Sequence, residues 1–307
     1  MSPGPRHGTP TGDAFLALQK LARDTGGDVQ ELLTLYALEG LLTRVAVSPF
    51  RDDFVLKGGV LLAAFNLRRP TKDIDLHATR IANDTDEVLD RIRQIAVIDV
   101  SDGLVFDPRA INAHTIREDD NYAGVRARLS ATLGRARLTV GIDVNFGDPI
   151  WPAPAEITLP RLLELDQDPL HLLGYPLPMV IAEKIVTALA RGEANTRWRD
   201  FADVLTISAV RPISASGLRA ALETVATHRH VTLRPLLPTL AAMPDLAQTR
   251  WANWHRRQAH TNDLPDQFSD VLNTVAAFTD PVLQPAPPPD ARWNPARRTW
   301  QRPTPGT

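Results

Sequence analysis

The sequence predicts an α+β fold whose strands lie in the first half of the chain. Between residues 54 and 146, short runs of β-forming residues alternate with glycine turns and helical stretches. From about residue 160 onwards the apolar positions recur at helical spacing, without a convincing strand among them. We therefore expect a first domain of mixed strands and helices and a second domain built of helices alone.

The predicted elements of the first half begin with two helices and end with a hairpin. Apolar residues recur every three or four positions in the helices, whereas side chains alternate between two faces in the strands. In chain order we predict helices at 14–23 and 29–47, a strand at 54–56, a glycine turn at 58–59, a helix at 60–67, a strand at 74–78, a helix at 85–97, a β-rich stretch from 105, and hairpin arms at 124–133 and 135–146.

The second half ends in a segment that is unlike the helices before it. Residues 281–307 carry eight prolines and almost no aliphatic side chains, so we expect them to form a mobile tail. The helices are predicted at 177–191, 197–210, 215–227, 246–259 and 265–278. The expected organisation is a flexible leader at 1–12, a first domain at 13–165, a helical domain at 166–280 and the tail at 281–307.

Composition narrows the chemistry that the chain can perform. The 307 residues include no cysteine, which excludes disulfides, thiolate metal sites and a cysteine nucleophile. Any metal must therefore be held by carboxylate or histidine, which favours hard cations such as Mg²⁺. No apolar run approaches the length of a membrane span, so we expect a cytoplasmic protein without a membrane partner. The net charge of −2 means that an RNA partner would need a local basic patch.

The densest candidate chemistry lies between residues 54 and 76. Asp73 and Asp75 are two positions apart on a predicted strand, so they face the same side, about 6.5–7 Å apart. Their repulsion would be relieved by a divalent cation. Gly58 and Gly59 leave the preceding strand without side chains, so their backbone N–H groups can approach a phosphate. Asp143, on a later strand, could complete a triad of acids.

Each of these features is weak when it is taken alone. An Asp-x-Asp pair at a strand edge is often a solvated face, and a pair of glycines is often only a turn. Their order favours function, because a strand, a glycine turn, a helix and a strand carrying two acids follow one another within 23 residues.

The segment from Lys57 to Leu76 resembles the DNA polymerase β-type nucleotidyltransferases, and more narrowly the AbiEii/MenT-type toxins of toxin–antitoxin and phage-defence systems. A second segment agrees with the first. The helix at 180–191, which contains Glu183-Lys184, and the later Arg199-Asp200-x-x-Asp203 are similar to the second signature of that family. The resemblance implies a nucleotidyltransferase core with a small mixed sheet flanked by helices, followed by the helical domain.

The resemblance assigns roles to individual residues. It implies that Asp73 and Asp75 bind Mg²⁺, with Mn²⁺ as an alternative, and that Asp200 or Asp203 is an essential acid. Asp143 occupies the third-acid position by topology, and we expect it to hold the metal together with Asp73 and Asp75. The resemblance implies phosphate contact by Gly58, Gly59 and Lys184, and we add Lys57 and Arg199 as candidates for nucleotide binding. Gly59 replaces a serine that is usual in the superfamily, so a hydroxyl contact to the nucleotide is lost at this position.

The resemblance also implies an activity. The chain is expected to transfer nucleotides from a nucleoside triphosphate to an RNA acceptor such as the 3′ end of tRNA, releasing pyrophosphate, and to have a cognate antitoxin as its protein partner. One alternative is a nucleotidyltransferase that modifies a protein or small-molecule hydroxyl. Another is a binding module that keeps the fold without catalysis.

Several further residues have two interpretations. Asp200 and Asp203 can tether Lys184 or form local salt bridges, and we favour the tether. Thr71 shares a side with Asp73, where its hydroxyl is either a turn cap or a modification site. The stretch from Trp251 to Arg257 places aromatic and basic residues together, which could bind RNA but more often packs a helix onto its neighbours.

Overall fold

A computed structural model describes residues 5–118, 122–163, 165, 168–256, 264–285 and 290–302. The chain divides into two compact units. The first comprises Met1–Asp148 and Pro154–Tyr175, and the second comprises Pro149–Ala153 and Pro176–Thr307. Within the described residues, no helix is both long and apolar enough to span a membrane.

Two helices open the first unit. Helix α1 (Pro10–Thr25) starts where the Thr9 hydroxyl accepts the Gly12 N–H. Helix α2 (Val29–Val47) starts at Asp28, whose carboxylate accepts the N–H groups of two following residues. The leader predicted at 1–12 is therefore shorter than expected, since its last three residues are helical and Thr11 Oγ1 donates to the carbonyl of Gly103 at 3.2 Å.

A seven-stranded mixed sheet forms the centre of the first unit. The strands are β1 (Phe54–Lys57), β2 (Asp73–Ala78), β3 (Leu104–Glu118), β4 (Tyr122–Leu133), β5 (Ala136–Phe146), β6 (Ala155–Leu159) and β7 (Leu170–Gly174). Their order is β3-β4-β5-β2-β1-β7-β6. Strand β2 runs parallel to β5 and β1 runs parallel to β7, while the other neighbours are antiparallel. The α+β class is confirmed.

One face of this sheet is covered by helices and forms the core. Between β1 and β2 lie α3 (Gly58–Leu61) and a 3-10 turn (Leu62–Phe65), and α4 (Thr85–Ala96) follows β2. Side chains of α2 and α4 meet those of the sheet in a shared apolar cluster: Leu41, Leu42, Val45, Ile92, Ile95, Ile74, Leu76 and Ile142. Because side chains alternate along β2, its two acids lie on the opposite face.

The first unit extends ten residues beyond the boundary expected at 165. Strand β7 pairs with β1 through Leu56 and Gly174, and with β6 along its whole length. The prediction of helices alone after residue 160 was wrong for β7. This strand is only five residues long, and its place in the sheet depends on β1, more than a hundred residues earlier in the chain, which a local pattern does not reveal.

The second unit is largely helical. Its helices are α5 (Leu177–Arg191), α6 (Trp198–Val210), α7 (Ala215–His228), α8 (Leu236–Thr239), α9 (Met243–His255) and α10 (Phe268–Leu283). Trp251 is fully buried on α9, lies against Phe268, and donates its indole N–H to the carbonyl of Pro265. The aromatic stripe therefore packs the helix at Trp251, while Arg257 lies outside the described residues.

The tail predicted at 281–307 differs from the structure in its described part. Residues up to Leu283 complete α10, and β8 (Arg292–Asn294) pairs with β9 (Thr299–Gln301) as a hairpin. Trp293 is 2% exposed and donates to the carbonyl of Ser208 at 2.7 Å. Trp300 stacks on Phe278. The two tryptophans supply apolar area that a count of aliphatic residues leaves out, so this part of the chain packs onto the second unit.

Candidate active site

Three acidic residues lie on one face of the central sheet, opposite the helical core. The register of the parallel strands β2 and β5 sets Asp75 beside Asp143 and Asp73 beside Gly141. On the other side of β2, Asp75 is paired with Lys57 of β1. Strand pairing therefore brings together the two acids of the predicted pair and the third acid, as the sequence order suggested.

The glycine turn is in direct contact with this pair. Gly58 follows β1 with φ of +66°, a conformation that side-chain-bearing residues rarely adopt. A Cβ placed on Gly58 would overlap the carboxylate of Asp75. The turn and the acid are thus packed as closely as the absence of a side chain allows. Helix α3 is only four residues long, so the predicted helix at 60–67 is divided between it and the 3-10 turn.

Gly59 faces Thr71. A Cβ at Gly59 would lie 3.0 Å from Thr71 Oγ1 and 3.3 Å from Cζ of Arg69. The Thr71 hydroxyl also lies 3.4 Å from the carbonyl oxygen of Asp73. A hydroxyl from another segment therefore stands next to the position where the superfamily carries a serine.

Asp143 is engaged by an arginine that the sequence analysis did not single out. Arg126 of β4 is its cross-strand partner, and it donates from Nε to Oδ1 at 2.7 Å and from Nη2 to Oδ2 at 2.6 Å. Such a bidentate pair fixes both side chains. The predicted hairpin could have revealed this pair. When the strands pair outward from Leu133 and Ala136 around the turn at Gly134, Arg126 lies opposite Asp143.

The electrostatics of Asp73 fit the binding of a cation. Partial burial of the Asp73 carboxylate raises its pKa above the usual range and the nearby Asp143 raises it further, against the opposing effect of Arg126, Arg128 and Lys72. A divalent ion would favour the charged form of the carboxylate. Within the described residues, no three histidine, cysteine or carboxylate side chains form a complete metal-binding set. Asp73 and Asp75 lie on β2 beside this ion pair, and neither is part of it.

Lys57 lies inside the first unit. Its Nζ is 3.6 Å from Asp148 Oδ2 and 5.3 Å from the centre of the Tyr175 ring, and its side chain is 10% exposed. The predicted role in nucleotide binding therefore competes with a buried ion pair.

The second predicted cluster belongs to the second unit. Lys184 of α5 donates to Asp200 Oδ1 at 2.8 Å and to Asp203 Oδ2 at 2.7 Å, both on α6. Arg197 Nε also donates to Asp200, at 2.7 Å. Burial by itself raises the pKa of Asp200, but Lys184 and Arg197 outweigh it and lower this pKa to about 2. The tether geometry that the sequence favoured is present, and Arg199 is exposed with its guanidinium 5.8 Å from the Trp198 ring.

Gly141 supplies a test of the geometry around Asp73. A Cβ on Gly141 would overlap Asp73 Oδ1, so Gly141→Ala is expected to displace this carboxylate and to lower the activity of this site by about a hundredfold. The exposed side chain can move aside, so the melting temperature should change little. Gly217→Ala is the matched control, because the nearest atom to its added Cβ is 3.5 Å away. Equal rates for the two variants would argue against a role for the position of Asp73.

A mixed sheet that carries two acids beside a glycine turn is the arrangement of a nucleotidyltransferase. The family model described as nucleotidyl transferase AbiEii toxin, type IV toxin–antitoxin system, matches residues 40–293, and the chain belongs to this family. Its members are nucleotidyltransferase toxins, and a type IV system implies a cognate antitoxin.

Two solved structures are similar to this chain, and the first of them shares its fold. MenT4, a nucleotidyltransferase toxin from Mycobacterium tuberculosis H37Rv, is 20% identical and matches with a TM-score of 0.50 over 71% of this chain and 74% of its own. JHP933 from Helicobacter pylori is 15% identical, with a TM-score of 0.45 over 81% of this chain and 91% of its own. No curated protein matches the chain.

Proposed function

We propose that this protein transfers a nucleotide from a nucleoside triphosphate to a hydroxyl group of an RNA acceptor, with release of pyrophosphate. The observation that carries the proposal is the contact between the glycine turn and the acidic pair. Asp75 packs against Gly58, so a triphosphate lying along the turn would have its reacting phosphorus near both carboxylates. We propose a cytoplasmic location, because RNA and nucleoside triphosphates are both present there.

Asp73 and Asp75 would hold Mg²⁺, or Mn²⁺ in its place. When bound, the metal supplies charge neutralisation at the phosphate oxygens and at the departing pyrophosphate. The protein residues set the geometry: β2 fixes the two carboxylates on one side, and the backbone at Gly58 and Gly59 leaves room for phosphate oxygens. The Thr71 hydroxyl, beside Gly59, is suited to contact the same phosphates.

The reaction is an in-line displacement. The acceptor hydroxyl forms a new bond to the α-phosphorus while the bond from this phosphorus to the pyrophosphate oxygen breaks, and the hydroxyl proton is lost to solvent. The contribution of the protein is to align the two reacting oxygens, because an aligned pair reacts far faster than one that meets by diffusion.

For the second cluster we propose a positioning role for the acids. Asp200 and Asp203 hold the ammonium group of Lys184 between them. Lys184 is the residue to which the family resemblance assigns a triphosphate contact, and Arg199 is the exposed basic residue next to this cluster. In this proposal the two carboxylates fix the direction of the lysine and do not touch the substrate.

The family supports a toxin, and we propose that it acts by extending the 3′ end of tRNA so that it no longer accepts an amino acid, in a toxin–antitoxin or phage-defence setting. The test is incubation with each α-labelled nucleoside triphosphate in turn, Mg²⁺ and total tRNA, followed by sequencing of RNA 3′ ends. We expect label in RNA and a 3′ extension. Label on the protein or on a small molecule alone would replace RNA as the acceptor, and no label on any acceptor would favour a binding module.

A further inference from the structure

Strands β3, β4 and β5 form a wing whose two faces differ sharply in polarity. The β4 side chains that point to the core are buried and apolar, from Val125 to Leu133. The opposite face of the same strand carries Arg126 and Arg128. Ser130 and Thr132 continue this polar face along β4, and the neighbours of these four residues across the strands extend it: Asn112 and His114 on β3, and Arg137 and Thr139 on β5.

This polar face of the wing is basic. Arg128 and Arg137 are exposed, and neither makes a side-chain hydrogen bond or ion pair with the described residues. Arg126 carries the charge that neutralises Asp143. The acid of β3 on this face is Asp107, whose carboxylate already accepts the backbone N–H of Arg109. The balance of charge on the face therefore suits an anion.

The basic face is continuous with the candidate active site. The strand register forms a row from Arg128 through Gly141 to Asp73. These α-carbons are two strand spacings apart, about 9.5 Å. Because Gly141 has no side chain, nothing on β5 stands between the arginine and the acid. A chain bound to Arg128 would thus end close to the acidic pair.

We propose that the polar face of the wing binds the phosphate backbone of the acceptor RNA, with Arg126 and Arg128 nearest the reacting 3′ end and Asp143 as the positioning residue of Arg126. This inference rests on the proposed function, because it takes the acceptor to be RNA. The face extends from Arg126 to the level of Arg137, roughly 20 Å along β4, which is too long for one nucleotide and suits several consecutive phosphates. Phosphate contacts of this kind position a strand without reading its bases.

The experiment measures binding without metal or nucleoside triphosphate. The probe is a 12-nucleotide single-stranded RNA with a 5′ fluorescein, followed by fluorescence anisotropy at several salt concentrations. Arg128→Ala and Arg137→Ala are each expected to weaken RNA binding roughly three- to tenfold. Each should also reduce the slope of log affinity against log salt concentration by about 0.7 per lost phosphate contact. Arg93→Ala is the control of equal charge, because it lies on α4, on the other face of the sheet. It should bind as the unchanged protein does.

Two results would overturn the proposal. One is equal RNA affinity in the Arg128 and Arg93 variants, and the other is weakened triphosphate binding with unchanged RNA binding in Arg128→Ala. The binding result can be obtained even if no transfer to RNA is detected, so it fails independently of the proposed function. If RNA is extended but the wing variants bind normally, only the surface is wrongly assigned.

Asp143→Asn separates positioning from metal binding. Because Asp143 holds the guanidinium of Arg126, the substitution should raise the KM for RNA more than the KM for the nucleoside triphosphate. It should also weaken RNA binding in the absence of metal. Unchanged RNA binding together with a loss of Mg²⁺-dependent triphosphate binding would instead make Asp143 a metal ligand.

Discussion

Asp73→Asn is expected to lower the rate of nucleotide transfer by on the order of a thousandfold, which corresponds to about 4 kcal/mol of barrier. The reason is the loss of one of two carboxylates that would hold the metal, whose charge neutralisation is worth several kcal/mol. The side chain keeps its shape, so the fold should persist. The measurement is single-turnover transfer to RNA across a Mg²⁺ titration.

Stability provides the internal check on this variant. The raised pKa of Asp73 means that its charged form is disfavoured in the folded chain, so a neutral residue should not destabilise the protein at neutral pH. Asp24→Asn, at an exposed position of α1, makes the same change of charge away from the acidic pair and from the wing. A rate within tenfold of the unchanged protein for Asp73→Asn would contradict the proposed catalytic centre.

Lys184→Met is expected to lower the free energy of unfolding of the second unit by about 3–5 kcal/mol, because it leaves buried carboxylates without their main partner. Asp200 and Asp203 are 7% and 4% exposed, and Arg197 remains as a cation for Asp200. Urea unfolding at pH 7 measures the loss. Lys20→Met, at an exposed position of α1, is the control with the same change of side chain.

The pH dependence of the same cluster has a definite sign. The folded pKa of Asp200, about 2, lies below its ordinary value of 3.8, so its contribution to stability is present above about pH 4 and is lost as the pH falls towards 2. Lys184→Met should weaken this acid dependence. A variant that also carries Asp200→Asn and Asp203→Asn should recover most of the stability at pH 7. Inactivity of that stable variant would separate the role of the cluster in catalysis from its role in folding.

Local pattern was sufficient for the parts of the molecule in which neighbours in sequence are neighbours in space. The alternation of β2 placed Asp73 and Asp75 on one side, and the glycine turn followed from the residues after β1. The resemblance to a family signature identified Lys184 and its two acids on α5 and α6, whose contact is now seen at 2.7 and 2.8 Å. Sequence order also placed Asp143 on a strand, though not its partner.

The features that were missed depend on strand register and on contacts between separate segments. The ion pair between Arg126 and Asp143 can be recognised only when the register between β4 and β5 is known. Strand β7 is defined by pairing with β1, more than a hundred residues earlier in the chain. The hairpin at 292–301 makes aromatic contacts with Phe278, and these contacts cannot be inferred from the proline content on which the prediction of a mobile tail rested.

That hairpin supplies residues that are synthesised late to the core of the second unit. Trp293 closes over the carbonyl of Ser208 and the ring of Phe278, so the core of the second unit lacks two of its large side chains until residue 300 has been synthesised. The strands that carry the acidic pair and its neighbours are complete by residue 174, and domains fold as units during synthesis. A nascent chain would thus hold its acids in place well before its helical half is finished, and a chain cut short before Trp293 would leave Phe278 exposed to proteolysis.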